Sequence, residues 1–280
     1  MWSNFHTHSH YCDGKGTIAD YLNAASNAGI QWIGFSSHAP LPFSCKWCMK
    51  IDDLPGYLAE IDEAKQSFPG IEIYRGLEVD YIPEVVSPMT FADRLDYTIG
   101  SIHFVESFLG KGWEIDNTLE IFKDGLHKIF DNNIRAAVTR YLELTRAMLS
   151  LTPPDILGHM DKIKVNAADL FFDESESWYR KEIEKTIDTI ENTNTIVEVN
   201  TRGMYKKKLS TPYPSPWILE QLYHRNIRIT ISSDAHHPED LTREFEPTRR
   251  LLADVGFKNV TVLKENDWKQ IPLDAYGITR

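Results

Sequence analysis

The segment FHTHSHYCDG, residues 5–14, places three of the chain's ten histidines within five positions and an aspartate, Asp13, three residues later. On an extended strand, side chains two residues apart point to the same face, so His6 and His8 can converge on one point. Two neutral imidazoles that converge in this way form the beginning of a metal site. The pair alone is equally typical of a solvated surface turn, so its interpretation depends on the rest of the chain.

The composition describes a chain of 280 residues that is 42% hydrophobic and has a formal net charge of −11. This length suits one α/β barrel domain over residues 1–280, although two small domains would also fit. The acidic balance disfavours binding of extended nucleic acid, which normally needs a basic surface. Because no apolar run approaches the ~18 residues needed to cross a bilayer, and no signal-peptide pattern is present, we expect no membrane association and a cytoplasmic location.

Two of the three cysteines, Cys45 and Cys48, form a C-x-x-C spacing in the segment CKWC. Such a spacing can be redox-active or can provide half of a zinc site. No second C-x-x-C motif and no thioredoxin-like context accompanies it. We therefore predict ordinary reduced thiols in a loop, as in a reducing compartment.

Strand-like and helix-like segments alternate along the whole chain. TIADYLNAASNAG is typical of a helix with Thr17 as its N-cap and Gly29 just beyond its end. A longer helical stretch runs from about Asn117 to Ser150, with DNN as a candidate break. The predicted strands are WSNF, QWIGFSS, IEIYRGLEV, DYTIGSIHF, DILGH, TIVEVN and IRITISS, and a further strand, NVTVL, closes the chain. Strand–helix units without a flexible linker indicate one parallel sheet, and a closed barrel fits better than a Rossmann fold because no glycine-rich fingerprint follows the first strand.

The ends of the predicted strands carry most of the residues with metal-binding or catalytic chemistry. In a (β/α) barrel, the loops after the strands converge to form the active site. The candidates are His6, His8, Asp13, His38, Glu78, His103, His159, Asn200, Arg202, Asp234, His236 and His237. Any one of them has an ordinary explanation, such as a salt bridge for Glu78 or a helix N-cap for Asp234. Their coincidence at six of seven strand ends predicts a metal site at the mouth of a barrel.

The segments HTHSHYCDG, SSHAP, GLEVDY, SIHF, GHMD and SSDAHH resemble the motifs of the PHP (polymerase and histidinol phosphatase) superfamily. The segments APLPF and EVNTRGMYKK, and the helical stretch after GWEID, resemble its histidinol-phosphatase branch. The resemblance covers nearly the whole chain. It implies a distorted TIM-like (β/α)7 barrel of the PHP type that holds three divalent metal ions, which would be Zn, Mn or Fe.

The same resemblance implies nine metal ligands in three sets. The first set is His6, His8, Glu78 and Asp234; the second is Glu78, His103 and His159, with Glu78 as the bridge; the third is Asp13, His38 and His236. Asp13 departs from the pattern, because many histidinol phosphatases place a histidine near this position, and a carboxylate there favours a harder metal such as Mn or Fe. Asp234 and His236 are also the candidate catalytic residues. Either Asp234 or a metal-bound water would protonate the leaving alkoxide.

The chemistry that such a site can perform is hydrolysis of a phosphate monoester, which is among the slowest uncatalysed reactions. The reaction needs a nucleophile at neutral pH and cations around the phosphoryl oxygens, and clustered metals supply both. We therefore expect metal-bound hydroxide to attack the phosphorus of a small phosphorylated substrate, and the resemblance implies L-histidinol phosphate, an intermediate of histidine biosynthesis. Arg202 is the predicted phosphate contact because a guanidinium fork matches phosphate oxygens, the alternative being a surface arginine in a turn.

Three alternatives remain open at the level of the sequence. An amidohydrolase-type metallohydrolase also begins with His-x-His, but it commonly bridges two metals with a lysine after the fourth strand, where this chain has His103. A PHP phosphoesterase acting on nucleotides or oligonucleotide ends would use the same site, although the acidic balance weighs against polymer binding. A degenerate domain that serves only in interactions would lack ligands, and none of the nine is missing.

Overall fold

The computed structural model describes residues 1–108, 111–206 and 208–279. Within these ranges the strands are β1 (Trp2–Asn4), β2 (Ile30–Phe35), β3 (Glu72–Asp80), β4 (Tyr97–Ser101), β5 (Phe104–Phe108), β6 (Lys111–Glu114), β7 (Ile156–Leu157), β8 (Ile196–Asn200), β9 (Ile229–Ser232), β10 (Asn259–Lys264), β11 (Asp267–Asp274) and β12 (Gly277–Ile278). The α-helices are α1 (Ile18–Ala28), α2 (Leu54–Ser67), α3 (Leu119–Phe130), α4 (Ile134–Leu151), α5 (Lys164–Ala167), α6 (Ser177–Glu191), α7 (Arg202–Tyr205), α8 (Pro216–His224) and α9 (Phe245–Val255). Short 3-10 turns occupy Ile51–Asp53, Pro88–Thr90, Ala92–Arg94 and Pro238–Asp240.

Seven of the described strands form one parallel sheet in the order β1, β2, β3, β4, β7, β8 and β9. The sheet curls until its first and last strands meet just beyond their carboxyl ends. There the N–H of His8 donates to the carbonyl of Ala235 at 2.9 Å, and the N–H of Ala235 donates to the carbonyl of His6 at 3.1 Å. The result is a nearly closed parallel barrel with helices around it, which confirms the predicted TIM-like (β/α)7 barrel of the PHP type.

The helices cover the barrel with apolar faces. Helix α1 buries Ile18, Tyr21, Leu22 and Ala25. Its first turn is closed by Thr17, whose side chain accepts from the N–H of Asp20, and it ends at Gly29 in the left-handed conformation (φ 70°). Both ends of this helix are as predicted. No helix in the described part of the chain combines the length and the hydropathy needed to cross a bilayer.

The connection from β4 to β7 is the longest in the barrel. It leaves β4 as the hairpin β5–β6 and continues through α3 and α4. Helix α3 ends at Asp131 in the left-handed conformation, and Asn133 begins α4 by accepting from the N–H of Ala136 at 3.0 Å. The helical stretch therefore divides at DNN, as the sequence indicated.

The last three strands form a separate antiparallel sheet at the amino ends of the barrel strands. The N–H of Ile278 donates to the carbonyl of Met1 at 2.8 Å, and Trp268 packs edge-on against Phe5 with ring centroids 5.4 Å apart. The predicted strand NVTVL is the first strand of this sheet. Strands β11 and β12 were not predicted, because most side chains of β11 are partly or fully exposed and give no clear apolar pattern.

Cys45 and Cys48 form a disulfide. The prediction of ordinary reduced thiols is therefore wrong for this pair. The physical reason is that the short CKWC loop brings the two Cα atoms to 5.4 Å, inside the range of about 4.4–6.8 Å that a disulfide needs. The third cysteine, Cys12, is free.

Candidate metal centre

All nine predicted ligands lie at the carboxyl ends of the barrel strands or in the loops just beyond them. Eight are buried and the ninth, Asp13, is partly exposed: the buried residues are His6, His8, His38, Glu78, His103, His159, Asp234 and His236. So many ionisable side chains would be costly in an ordinary protein interior unless they were paired or held a cation. Their position confirms that the strand ends gather at one mouth.

The segment after β1 holds the first two ligands. It stays extended, and its backbone bonds to both neighbouring strand ends, so the side chains alternate between the two faces. The rings of His6 and His8 consequently point to the same side, with their centroids 5.1 Å apart. The convergence predicted from the His-x-His spacing is what the structure shows.

Glu78, on β3, lies between two pairs of histidines. Its Oε2 is 3.2 Å from Nε2 of His6 and 3.6 Å from Nε2 of His8. Its Oε1 is 2.9 Å from Nε2 of His159 and 3.6 Å from Nε2 of His103. Nδ1 of His38 also lies 2.9 Å from Oε2, so the two carboxylate oxygens face different groups of imidazoles, which is the arrangement expected of a bridging ligand.

Asp234 follows β9 and completes the first set. Its Oδ1 lies 3.1 Å from Nε2 of His8 and 3.8 Å from Nε2 of His6. The residue has φ 52°, a left-handed conformation that aspartate tolerates better than most residues. Its carbonyl accepts from Arg202 Nη1 at 2.8 Å and from the Tyr205 hydroxyl at 3.0 Å, and these bonds hold the turn in place.

The third set forms around Asp13. Its Oδ2 is 3.2 Å from Nε2 of His236, and its Oδ1 is 3.8 Å from Nε2 of His38. Nδ1 of His8 is also within 3.9 Å of Asp13 Oδ1, and Nδ1 of His38 lies 2.9 Å from Glu78 Oε2. Because His8 and His38 each face two groups, the division of the nine ligands into three sets stays a prediction.

Several buried atoms of this cluster have no hydrogen-bond partner among the described residues. They are His6 Nε2, His8 Nε2, His38 Nδ1, Asp13 Oδ1 and Glu78 Oε2. An unpaired buried polar atom costs about 1–3 kcal/mol, so a group of them facing one another indicates a missing partner of positive charge. Imidazoles mixed with carboxylates, without cysteine, are the donors that Zn, Mn and Fe accept. The residues therefore fit divalent metal ions.

The charges of the carboxylates and of His8 agree with this fit, whereas without a metal burial is outweighed by the neighbouring carboxylates, which raise the pKa of His6 and His103. Burial opposes ionisation of Glu78, but the surrounding imidazoles, His6 first, hold the pKa of its carboxyl well below the usual value. Burial opposes ionisation of Asp234 as well, yet His6 and Arg202 hold its pKa well below the ordinary range. Burial together with neighbouring imidazoles lowers the pKa of His8. Charged carboxylates and a neutral imidazole are the forms that bind metals.

Two buried carboxylates that were not predicted support the ligand rings from behind. Glu198 lies 2.5 Å from Nδ1 of His6 and accepts from the N–H of His159 at 2.8 Å. Asp80 lies 3.1 Å from Nδ1 of His103 and accepts from its N–H at 2.8 Å. Such partners fix the ring orientation and make the other nitrogen a better ligand. A charge inside an apolar strand, as Glu198 is in TIVEVN, was the signal that could have identified it.

A cavity of about 190 Å³ opens beside the cluster. Five of the predicted metal ligands line it, and the other lining residues are Arg202, Lys162, Trp47, Glu114, Asp116 and Asn117. The hydrogen bonds found for the Arg202 side chain within the described residues all involve Nη1, which also lies 2.6 Å from Nδ1 of His236. The remaining guanidinium nitrogens have no hydrogen bond to another described residue.

Lys162 is a second cation at the cavity, and the sequence did not predict it. Its Nζ lies 3.1 Å from Nε2 of His103 and 3.1 Å from an oxygen of Asp116. Burial disfavours its charge, but Asp116 and the carboxylates of the centre more than compensate and raise the pKa of Lys162. The ammonium is therefore charged at neutral pH. Its place directly after GHMD was the signal that could have identified it.

Comparison with known proteins gives concordant matches. The PHP domain model matches residues 4–202. A Deinococcus radiodurans protein named "Probable histidinol-phosphatase" is 28% identical over 269 residues, which are 91% of this chain and 94% of that protein. The Bacillus subtilis histidinol-phosphatase is 25% identical over 261 residues, 86% of this chain and 96% of that one. The fold is also that of a solved structure, Lactococcus lactis histidinol phosphate phosphatase complexed with zinc, L-histidinol and phosphate. The TM-score is 0.75 and the identity is 20%, and the match covers 96% of this chain and 98% of that chain.

Proposed function

The chain belongs to the PHP domain family, and from this premise we propose that it is a metal-dependent phosphatase that hydrolyses L-histidinol phosphate to L-histidinol and phosphate. The observation that carries the proposal is the position of Glu78 between two pairs of histidines, next to a cavity with two cations. The relatives named histidinol-phosphatase align over most of their own length and most of this chain, so the proposal concerns the whole enzyme.

The metal content that we propose is three divalent ions. The ligands would be the nine residues described above, with Glu78 shared between the first two sets. When bound, the metals supply a nucleophile at neutral pH and neutralise charge on the phosphoryl oxygens. The carboxylate at Asp13 favours Mn or Fe over Zn at the third position.

The chain's own cations would orient the phosphate. Arg202 is held by the carbonyl of Asp234 through Nη1, so its fork has a fixed position at the edge of the cavity. Lys162, which follows β7, adds a point charge next to His103 and His159. A guanidinium gives directional contacts to two phosphate oxygens, whereas an ammonium adds mainly charge. Together they would hold the ester so that its phosphorus faces the centre and the leaving oxygen lies on the far side of phosphorus.

Asp234 is the residue that we propose to move a proton. It lines the cavity, and a proton that its carboxylate takes up when the nucleophile forms would pass readily to the leaving oxygen, because the lowered pKa of Asp234 makes the protonated carboxyl a strong acid. His236 would keep the carboxylate in place, because its Nδ1 lies 3.4 Å from Asp234 Oδ1 while its Nε2 faces Asp13 at 3.2 Å. Both residues thus combine metal binding with a role in the reaction.

The experiment that tests the proposal is a substrate screen. Phosphate release is measured for L-histidinol phosphate, other amino-alcohol phosphates, sugar phosphates and nucleotides, with protein reconstituted with Mn, Fe or Zn. We expect kcat/KM for L-histidinol phosphate to exceed that for nucleotides by about 100-fold or more, because a site built for one set of polar groups rejects others. A preference for nucleotides would contradict the substrate, and phosphatase activity unaffected by chelators would contradict the metal mechanism.

A further inference from the structure

Trp47 is one of the residues that line the cavity beside the ligand cluster. Its side chain is only partly buried. The indole contacts two proposed ligands edge-on, with centroid distances of 4.4 Å to the ring of His38 and 5.3 Å to the ring of His103. Core packing does not explain a partly exposed tryptophan beside a charged centre, because other residues form the core of the barrel.

The indole has a rigid support. Phe104, which is buried, stacks on it almost in parallel, with centroids 5.6 Å apart and an interplanar angle of 13°. Phe104 in turn lies so close to the backbone of Gly112 in the facing strand that a Cβ at this glycine would be 2.4 Å from the phenyl ring. Phe104 therefore rests against the second strand of its own hairpin, which supports the stack from that side.

The loop that carries Trp47 is also tied at both sides. The disulfide between Cys45 and Cys48 closes a ring of four residues around it. Directly after the disulfide, the N–H of Met49 donates to the carbonyl of His38 at 3.1 Å, so the loop is joined to the strand end that provides a ligand. Such a fixed aromatic plane is the kind of surface that binds another flat ring with little loss of side-chain entropy.

From this arrangement we infer that Trp47 is a specificity-determining residue, which binds the imidazole ring of the substrate by stacking. The inference rests on the proposed function. The phosphate end of the substrate is assigned to the metals, Arg202 and Lys162, and these groups treat all phosphate monoesters alike. Trp47 gives the cavity an aromatic surface that can distinguish a leaving group with a ring from one without, and a protonated imidazole would add a cation–π attraction.

The test compares two substrates that differ only in the ring. L-Histidinol phosphate carries the imidazole, and alaninol phosphate keeps the ammonium and the phosphate ester without it. For Trp47→Ala we expect kcat/KM to fall about 10- to 100-fold for L-histidinol phosphate, mostly through KM, and to change less than about threefold for alaninol phosphate. Trp47→Phe should recover most of the loss, because it restores an aromatic plane.

A matched control is Phe43→Ala. Phe43 also packs against Phe104, with centroids 5.7 Å apart, but its side chain is 41% exposed and it is not among the residues that line the cavity. It should leave kcat/KM for both substrates unchanged. Inhibition by inorganic phosphate should be the same in wild-type protein and in Trp47→Ala, because phosphate does not reach the ring.

The possible results separate the two proposals. If the wild-type protein does not hydrolyse L-histidinol phosphate, the proposed function fails. If it does, but Trp47→Ala loses equal activity toward both substrates or binds inorganic phosphate more weakly, Trp47 supports the metal centre instead and the inference is overturned. Unchanged KM for L-histidinol phosphate in Trp47→Ala would overturn it as well.

Discussion

Two buried lysines, Lys162 and Lys164, lie two residues apart in the chain, but one is at the edge of the cavity and the other is enclosed by acceptors within the fold. The ammonium of Lys164 has three acceptors within the fold: an oxygen of Asp161 at 2.8 Å, the carbonyl of Pro212 at 3.0 Å and the hydroxyl of Ser215 at 2.6 Å. Lys162 instead faces Asp116 and the ring nitrogens of proposed metal ligands, at the edge of an open cavity.

The difference shows that a buried charge does not by itself mark a functional site. Around Lys164, the structure provides an opposite charge and hydrogen bonds, so the ammonium is paired and serves the fold, although Oδ1 of Asp161 has no hydrogen-bond partner among the described residues. Around Lys162 and the nine ligands, carboxylates and imidazoles outnumber the available donors, and buried atoms remain unpaired among the described residues. Such an excess is stable only if an external cation completes it.

The largest effect is expected from Glu78→Gln, which tests the proposed role of the ligand cluster. The substitution keeps the size of the side chain but removes the charge that two pairs of histidines share, so two metals are disturbed at once. We expect kcat to fall by about 10⁴-fold or more, which corresponds to ~5.5 kcal/mol of lost transition-state stabilisation. Circular dichroism should show an intact fold, and metal analysis should show a loss. Normal metal content with substantial turnover would place the bridge elsewhere.

Lys164→Met should have the opposite effect. It leaves the carboxylate of Asp161 buried without its cation, and we expect the free energy of unfolding to decrease by about 3–5 kcal/mol. Urea denaturation measures this change, while kcat of the folded fraction should stay within about twofold because the lysine contacts no ligand. The double variant Asp161→Asn, Lys164→Met should recover most of the stability. If Lys164→Met instead removes activity without lowering stability, the contrast between the two lysines is wrong.

Arg202→Lys tests the proposed role of the cations at the cavity. The substitution keeps the positive charge but loses the two-pronged contact, so kcat/KM should fall roughly 10- to 150-fold, the size expected from ~1.5–3 kcal/mol for a charged hydrogen bond. The decrease should be similar for L-histidinol phosphate and for an aryl phosphate, and metal content should not change. A decrease confined to L-histidinol phosphate would place Arg202 near the organic part of the substrate.

Asp80→Asn should give the smallest effect. Its carboxylate holds His103 by the Nδ1 side, and loss of such a partner typically weakens metal affinity by about 10- to 100-fold. Competition with a chelator measures the affinity, and excess metal should restore most of the activity. Activity that stays low at saturating metal would show that Asp80 acts in the reaction and not through the orientation of His103.

The sequence predicted much of the barrel and that the nine candidate ligands would gather at its mouth, for reasons that individual residues make clear. His6, His8, Glu78 and Asp234 end apolar runs, and in a parallel barrel such ends must meet. Lys162 was not predicted, because its role depends on contacts with residues distant in the chain. Glu198 was missed for the same reason: it bonds to His6, 192 positions away.

The errors and omissions have local causes. The state of Cys45 and Cys48 depends on the loop conformation, which the C-x-x-C spacing leaves open, and the prediction of free thiols was wrong. The grouping of ligands also depends on ring orientation, since His38 faces Glu78 through Nδ1 and Asp13 through Nε2. A sequence pattern specifies which residues reach the mouth of the barrel, whereas the side-chain rotamers decide which atoms meet.

The most direct test of the central claim is a metal titration of chelator-treated protein, followed by both metal content and turnover of L-histidinol phosphate. The account predicts an inactive apoprotein, recovery of activity that is complete at close to three metal equivalents per chain, and a lower plateau of bound metal in Glu78→Gln. Full activity with one metal or none would contradict the claim that these nine residues form a three-metal centre.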